Sequence, residues 1–134
     1  MKIHATRLRP GQELEESIKR LADEKDINAG FIISCVGSLK TAMIRFAERP
    51  EATRIDGPLE IIQLSGTFSK EGIHLHMSVS DQEGRVIGGH VKKGCVVHTT
   101  AEIIIGEDED KIFMRIPDEE TGYKELQVQE KRKG

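Results

Sequence analysis

Three histidines, His74, His76 and His90, are the residues of this chain whose types and spacing most directly suggest chemistry. Ile73, Leu75, Met77 and Val79 alternate with His74, His76, Ser78 and Ser80, the period-two pattern of a half-buried strand, so both imidazoles leave one face. Side chains two residues apart on a strand stand roughly 6.5–7 Å apart at the backbone and can lean onto one ion at about 2.0–2.1 Å. The turn Asp81-Gln82-Glu83-Gly84 decides where the third histidine falls. With Gln82, Glu83 and Gly84 as a three-residue hairpin loop and Gly84 in the left-handed region, Asp81 opposes Arg85, Val79 opposes Ile87 and His76 opposes His90. A two-residue loop would instead set His90 against Leu75 on the apolar face. Gly88 and Gly89 suit a bulge or the close approach of another backbone.

Three converging imidazoles point to a bound divalent metal. Zinc comes first, because neutral imidazole suits it and three protein ligands leave a position for water or substrate; nickel, copper or iron could use the same set. The opposing explanation is a polar sheet face decorated with ordinary surface histidines. His98 shares a parity with Thr100 and Glu102 and is a candidate fourth ligand or supporting residue, but it is left outside the metal set His74, His76 and His90.

The elements that must position these side chains can be read from the remaining pattern. Lys2 to Leu8 alternates as a first strand, with Ile3, Ala5 and Leu8 expected inward. From Glu13 to about Lys25, Leu14, Ile18, Leu21 and Ala22 form an amphipathic helical stripe, with acidic residues in the favourable first turn. Ala29–Val36 and Leu39–Phe46 read as two strands separated by a tight turn at Gly37-Ser38, and Glu48 to Gly57 as a loop. Leu59 to Phe68 alternates, placing Ile62, Leu64, Gly66 and Phe68 on one face. Cys95 to Ile105 is a long strand with Cys95, Val97, Ala101, Ile103 and Ile105 on one side. Gly106 to Asp110 reads as an acidic turn, Lys111 to Ile116 as a last strand, and the remainder as polar tail. The expected class is α+β, a curved, mainly antiparallel sheet of about seven strands with one principal helix. The chain reads as a single domain over 1–134, with its core at about 3–128 and a polar tail at 129–134.

With 134 residues and 37% hydrophobic content, the chain can bury one core without staples. No apolar run is long enough for a membrane span or a signal peptide, so a cytoplasmic location and no membrane partner are expected. Cys35 and Cys95 sit in apolar runs and form no C-x-x-C, which fits buried reduced thiols. Twenty basic and 23 acidic residues give a net charge of −3, which supplies no overall drive toward nucleic acid. Lys131-Arg132-Lys133 is the terminal basic cluster and reads as solvated. Ile61, Val86, Val96 and Ile104 break a one-sided apolar pattern, which suggests that other subunits cover part of the second face.

In combination, several motifs resemble the plants-and-prokaryotes-conserved domain family, from about Arg7 to Val128. They are Arg9-Pro10-Gly11-Gln12-Glu13-Leu14, Val36-Gly37-Ser38-Leu39, Gly57-Pro58-Leu59-Glu60-Ile61, Leu64-Ser65-Gly66-Thr67, His74-Leu75-His76, Gly84-Arg85-Val86-Ile87-Gly88-Gly89-His90, Thr100-Ala101-Glu102 and Thr121-Gly122-Tyr123-Lys124-Glu125-Leu126. The resemblance implies an α+β fold with a curved antiparallel sheet, a homotrimer, and a metal held at His74, His76 and His90. Plant members join this domain to an AT-hook and act on AT-rich DNA; they typically carry serine in place of His90 and lack the His-Leu-His pair. This sequence has no Arg-Gly-Arg-Pro core and looks like the single-domain prokaryotic type, whose members are often called DNA-binding by analogy alone.

Three functions follow as expectations. The first is a metal-binding homotrimeric module with a small anionic ligand as a possible partner. The second is a DNA-associated regulatory protein, for which the acidic balance and the scarcity of aromatics predict weak, salt-dependent binding at best. The third is a metal-dependent enzyme acting on a small anionic substrate, since an ion with an open position lowers the pKa of bound water to about 7. Its general base is not evident; Glu102, Glu60 and Asp81 are the candidates. Arg45 with Glu60 could orient an anion or form an ion pair at a subunit interface.

Overall fold

A computed structural model of the chain describes residues 1–132. Eight strands and one helix follow in order: β1 (Lys2–Leu8), α1 (Leu14–Glu24), β2 (Gly30–Arg45), β3 (Thr53–Ser69), β4 (Gly72–Ser80), β5 (Val86–Val91), β6 (Val96–Glu107), β7 (Lys111–Pro117) and β8 (Lys124–Glu130). The α+β class and curved antiparallel sheet are as expected, but the strands number eight and fall into two sheets.

The larger sheet runs β1-β6-β2-β3-β4-β5, and β5 pairs back onto β2 through Ile44–Val91 and Arg45–His90. Strands β2, β3, β4 and β5 therefore close a four-stranded ring, while β6, followed by β1, pairs with the earlier part of β2 along the edge that β5 reaches at its end. Closure requires two backbones to come unusually near each other, and the sequence supplies glycine at that point. A Cβ on Gly89 would stand 2.6 Å from the Arg45 carbonyl oxygen and 2.9 Å from Ile44 Cγ2. The close-approach role foreseen for the Gly-Gly step thus falls on the seam between β5 and β2.

Inside lies one core, including Leu39, Ile44, Leu59, Phe68, Leu75, Val79, Val97, Ile103 and Ile105. Helix α1 buries Leu14, Ile18 and Ala22 against it; each fully buried Leu or Ile contributes about 1.5–3 kcal/mol relative to exposure. Its start is set by Glu13, whose Oε1 accepts from the Glu16 N–H at 2.8 Å while Oε2 accepts from the N–H groups of Gly94 and Cys95 at 3.1 and 3.0 Å. One carboxylate thus caps the helix and pins it to the corner between β5 and β6. Cys35 and Cys95 are buried free thiols, each pushed up to about 11, first of all by burial.

Several local expectations are corrected. Gly37-Ser38 is not a turn: β2 runs through it, with register shifts against β6 between Ile32 and Ser34, Gly37 and Leu39, and Leu39 and Thr41. A Cβ at Gly37 would lie 2.0 Å from the Thr100 carbonyl oxygen, so the glycine serves strand-to-strand approach. The segment read as a loop to Gly57 becomes strand from Thr53. A shift in the β3–β4 register between Ile61 and Gln63 switches the parity of β3, burying Ile61 and leaving Ile62 exposed. In β1 the inward set is His4, Thr6 and Leu8, whereas Ile3 and Ala5 face out. His4 points in because Nε2 meets Glu107 Oε1 at 2.9 Å, and Glu107, expected in an acidic turn, is a buried residue at the end of β6.

The largest correction concerns the polar tail. Residues 124–130 form β8, antiparallel to β7, so Gln129 and Glu130 of the expected 129–134 tail belong to a strand. The connecting turn is held by Asp118, whose carboxylate accepts from the Glu120 and Thr121 N–H groups, with Gly122 at φ 77°. Of the basic cluster, Lys131 and Arg132 follow β8 and Lys133 lies outside the described residues. No described helix is long and apolar enough to cross a membrane.

Candidate metal centre

The hairpin between β4 and β5 adopts the three-residue loop expected from its turn chemistry. Asp81 N–H donates to the Arg85 carbonyl, Gly84 takes φ 79°, and Val79 pairs with Ile87 and His76 with His90. Asp81 is committed to the turn: its carboxylate accepts from the N–H groups of Glu83 and Arg85 and from Arg85 Nε. These bonds, the Arg85 backbone N–H foremost, hold its carboxyl below the usual range, and they remove Asp81 as a candidate general base.

Ring closure then extends a single row of side chains across four strands. Ser65 of β3 opposes His76 of β4, His76 opposes His90 of β5, and His90 opposes Arg45 of β2. Directly opposed residues share a face, so these groups project together, with His74 one strand step away opposite Thr67. The rings of His74 and His76 lie 5.1 Å apart between centroids, His74 and His90 5.2 Å, and His76 and His90 5.6 Å. Ligand nitrogens of all three lie within 4.8 Å of one another. Underneath, Leu75 and Met77 are buried, anchoring the strand from its opposite parity.

Electrostatics favour neutral imidazoles here. Burial first, then the neighbouring His74, Arg45, Lys92 and His76, push His90 down to about 4. Burial, Arg115 and His76 likewise lower His74, against an opposing pull from Glu125. A metal takes the neutral imidazole, so the lowering at His74 and His90 suits them as donors to a divalent ion.

The histidines open into a cleft of about 1090 Å³, whose lining includes Arg45, Arg49, Lys92, Arg115, Tyr123 and Glu125. Arg115 reaches it from β7 and donates from Nη2 to Thr67 Oγ1 at 3.0 Å, beside His74. Sequence reasoning missed Arg115, Tyr123, Lys124 and Glu125 as site residues. Two signals were available: the Thr121-to-Leu126 motif of the family resemblance, and the alternation of Leu126 and Val128 with polar residues after a Thr-Gly turn.

Other candidates lie apart from the histidines. Glu60 pairs with Ser38 across β2, seven residues along that strand from Arg45, so the two do not form the unit expected of them. Glu102 opposes Arg7 and Val36 on the β1–β6–β2 side. His98 Nδ1 lies 2.9 Å from Thr99 Oγ1, and the potential metal set is His74, His76 and His90 without it.

A strongly closed antiparallel sheet with one helix and a histidine row on its seam defines a small α+β domain with a candidate metal centre. Residues 1–109 match the Plants and Prokaryotes Conserved (PCC) domain, and the chain belongs to that family. It is 41% identical over 129 residues to the bifunctional protein GlmU of a Synechococcus species, covering 96% of this chain and 21% of that protein. The chain thus spans about a fifth of the length of the first curated relatives it matches. Among solved structures it resembles a hypothetical protein from Salmonella cholerae-suis, with TM-score 0.96 and 37% identity over 98% of this chain and 95% of that one. It also resembles a metal-containing protein from Archaeoglobus fulgidus, with TM-score 0.76 and 29% identity over 95% and 94% of the two chains.

Proposed function

We propose that this protein is a metal-binding module of the PCC domain family, with His74, His76 and His90 holding one divalent ion, zinc in the first instance. The observation that carries the reading is the convergence of three imidazoles, from two paired strands, to within 4.8 Å. The metal-containing Archaeoglobus fulgidus relative supports it by similarity. An ion held by three neutral histidines would supply a Lewis acid with an open coordination position. The residues around it provide a half-buried, water-accessible cleft that gives a small molecule access to that position.

We further take the working assembly to be a homotrimer. Val36 and Ile62 are 65% and 55% exposed, one step beyond the Gly37–Ile61 pair, and form an apolar pair on the outside of the sheet that a second copy would cover. DNA association is the runner-up. It would require the protein to overcome its net charge of −3.

The test is elemental analysis of untagged protein beside His74→Ala and His76→Ala variants, with mass by light scattering. About one ion per chain in the parent and little in either variant is the expected result. A protein that retains no zinc after loading and removal of the excess would refute the metal reading. Tight DNA binding at physiological salt in the metal-free protein would put the second reading first.

A further inference from the structure

The arginines beside the histidines are placed in a way that the metal alone does not explain. Arg45 stands at one end of the row, paired with His90, and Arg115 is bonded to Thr67, opposite His74. Both are half-buried, and among the described residues neither has a carboxylate within ion-pair distance. Arg45 has only the Arg49 carbonyl, at 3.3 Å from Nη1, and Arg115 only the Thr67 hydroxyl. A guanidinium carries five donors in a planar fork suited to carboxylate or phosphate, so each retains most of its hydrogen-bonding capacity for something else. Five basic and three acidic residues line this cleft, although the chain as a whole is acidic.

We propose that the cleft binds a small organic molecule by an oxyanion head group, carboxylate or phosphate, held between Arg45 and Arg115 beside the three histidines. The proposal deepens the metal reading and rests on it for the contact at the ion's open position. A cleft of about 1090 Å³ is far larger than an inorganic oxyanion needs, so an organic body accompanies the head group. Tyr123, Ile73 and Pro50 offer it apolar surface, while Glu71 and Glu125 exclude a second negative charge from their side. Arg115 and Tyr123 come from the β7–β8 hairpin, beyond the residues 1–109 matched by the family. The three histidines and Arg45 therefore belong to the matched domain, and the hairpin after it supplies the other wall of the binding site.

Calorimetric titration with phenylphosphonate and with benzoate, on both metal-free and zinc-loaded protein, tests this. The loaded parent should bind at least one probe, and the preferred probe identifies the head group. Arg45→Gln and Arg115→Gln should each weaken binding about tenfold or more without loss of zinc, as expected for a charged hydrogen bond. Glu125→Gln should tighten binding. Thr67→Val removes the bond that positions Arg115 but leaves the guanidinium, and should keep most of the affinity. If Thr67→Val loses as much as Arg115→Gln, the arginine acts by docking the hairpin and direct contact is refuted. Failure of both probes in both states, or binding indifferent to both arginine changes, overturns the proposal while zinc content judges the metal reading separately. Arginine-dependent binding in a protein that takes up no zinc would leave the oxyanion site standing and the metal reading refuted.

Discussion

The ring β2–β5 and the hairpin β7–β8 face the same cleft but are held in different ways. The ring is joined strand to strand by backbone ladders with glycines at its closest approaches, and its interior is filled by Leu39, Ile44, Leu75 and Val79. The hairpin is a separate two-stranded sheet. It is tied on by isolated bonds: Phe113 N–H to the Asn28 carbonyl at 2.8 Å, Ser69 Oγ to the Phe113 carbonyl at 2.7 Å, and Arg115 to Thr67. Elements with few buried contacts open locally at lower free energy than core strands. The molecule therefore sets its candidate metal ligands on the more constrained part and the Arg115 guanidinium on a more adjustable part. That division suits a fixed ion and a variable organic ligand.

The comparison breaks most severely if the ring itself is disturbed. Gly66 has φ 137°, and a Cβ there would lie 2.0 Å from the His74 carbonyl oxygen. Gly66→Ala combines backbone strain with a collision and should destabilise the protein by about 3 kcal/mol or more, read as a lower urea midpoint, with metal uptake falling as β4 shifts. A midpoint within error of the parent would show that the ring is softer than its packing indicates.

A smaller effect should separate the two regions. Ser69→Ala deletes the bond to the Phe113 carbonyl and the one accepted from the Glu71 N–H, and should cost about 1–2 kcal/mol, read as faster amide exchange in β7 and β8 and at Glu71, with β4 and β5 still protected. Equal loss of protection in both regions would mean that they open as one unit.

The gentlest effect is a pH slope in the metal-free protein. His90 is held near 4 in the fold, against about 6.5 when unfolded, so between these values the unfolded chain binds more protons. Its contribution is fully present above about pH 6.5 and is lost as pH falls toward 4; solvent screening at a half-buried site keeps the slope shallow. His90→Gln should flatten it, and an unchanged slope in urea midpoints across that range would assign the dependence to other groups.

The same contrast explains what was legible in the sequence. The histidine register was readable because alternation, the Asp81-to-Gly84 turn and the Gly-Gly step all specify one pairing, and each is local. Ring closure was not readable, since nothing near Arg45 announces that β5 will pair with it 45 residues later. Gly37 was misread because glycine serves turns and close strand approach alike, and only the presence of Thr100 behind it distinguishes them. The inward His4 was missed because its partner, Glu107, is at the far end of the chain. The β8 strand escaped because its partly exposed Leu126 and Val128 bury too little to produce a strong apolar alternation. With it went Tyr123, Lys124 and Glu125 and the cleft role of Arg115, hence the wall of the site that the second sheet supplies.

The two buried thiols give this architecture built-in clocks. A buried thiol with its pKa near 11 reacts with an alkylating reagent chiefly when the surrounding strands part. Cys35 lies in the middle of β2 against β6, and Cys95 lies under the corner that Glu13 pins, with its sulfur 3.4 Å from the Met43 N–H. Their separate labelling rates time two different openings of the native sheet, with no foreign probe introduced. Any ligand that closes the seam between β2 and β5 should slow the Cys95 clock more than that at Cys35.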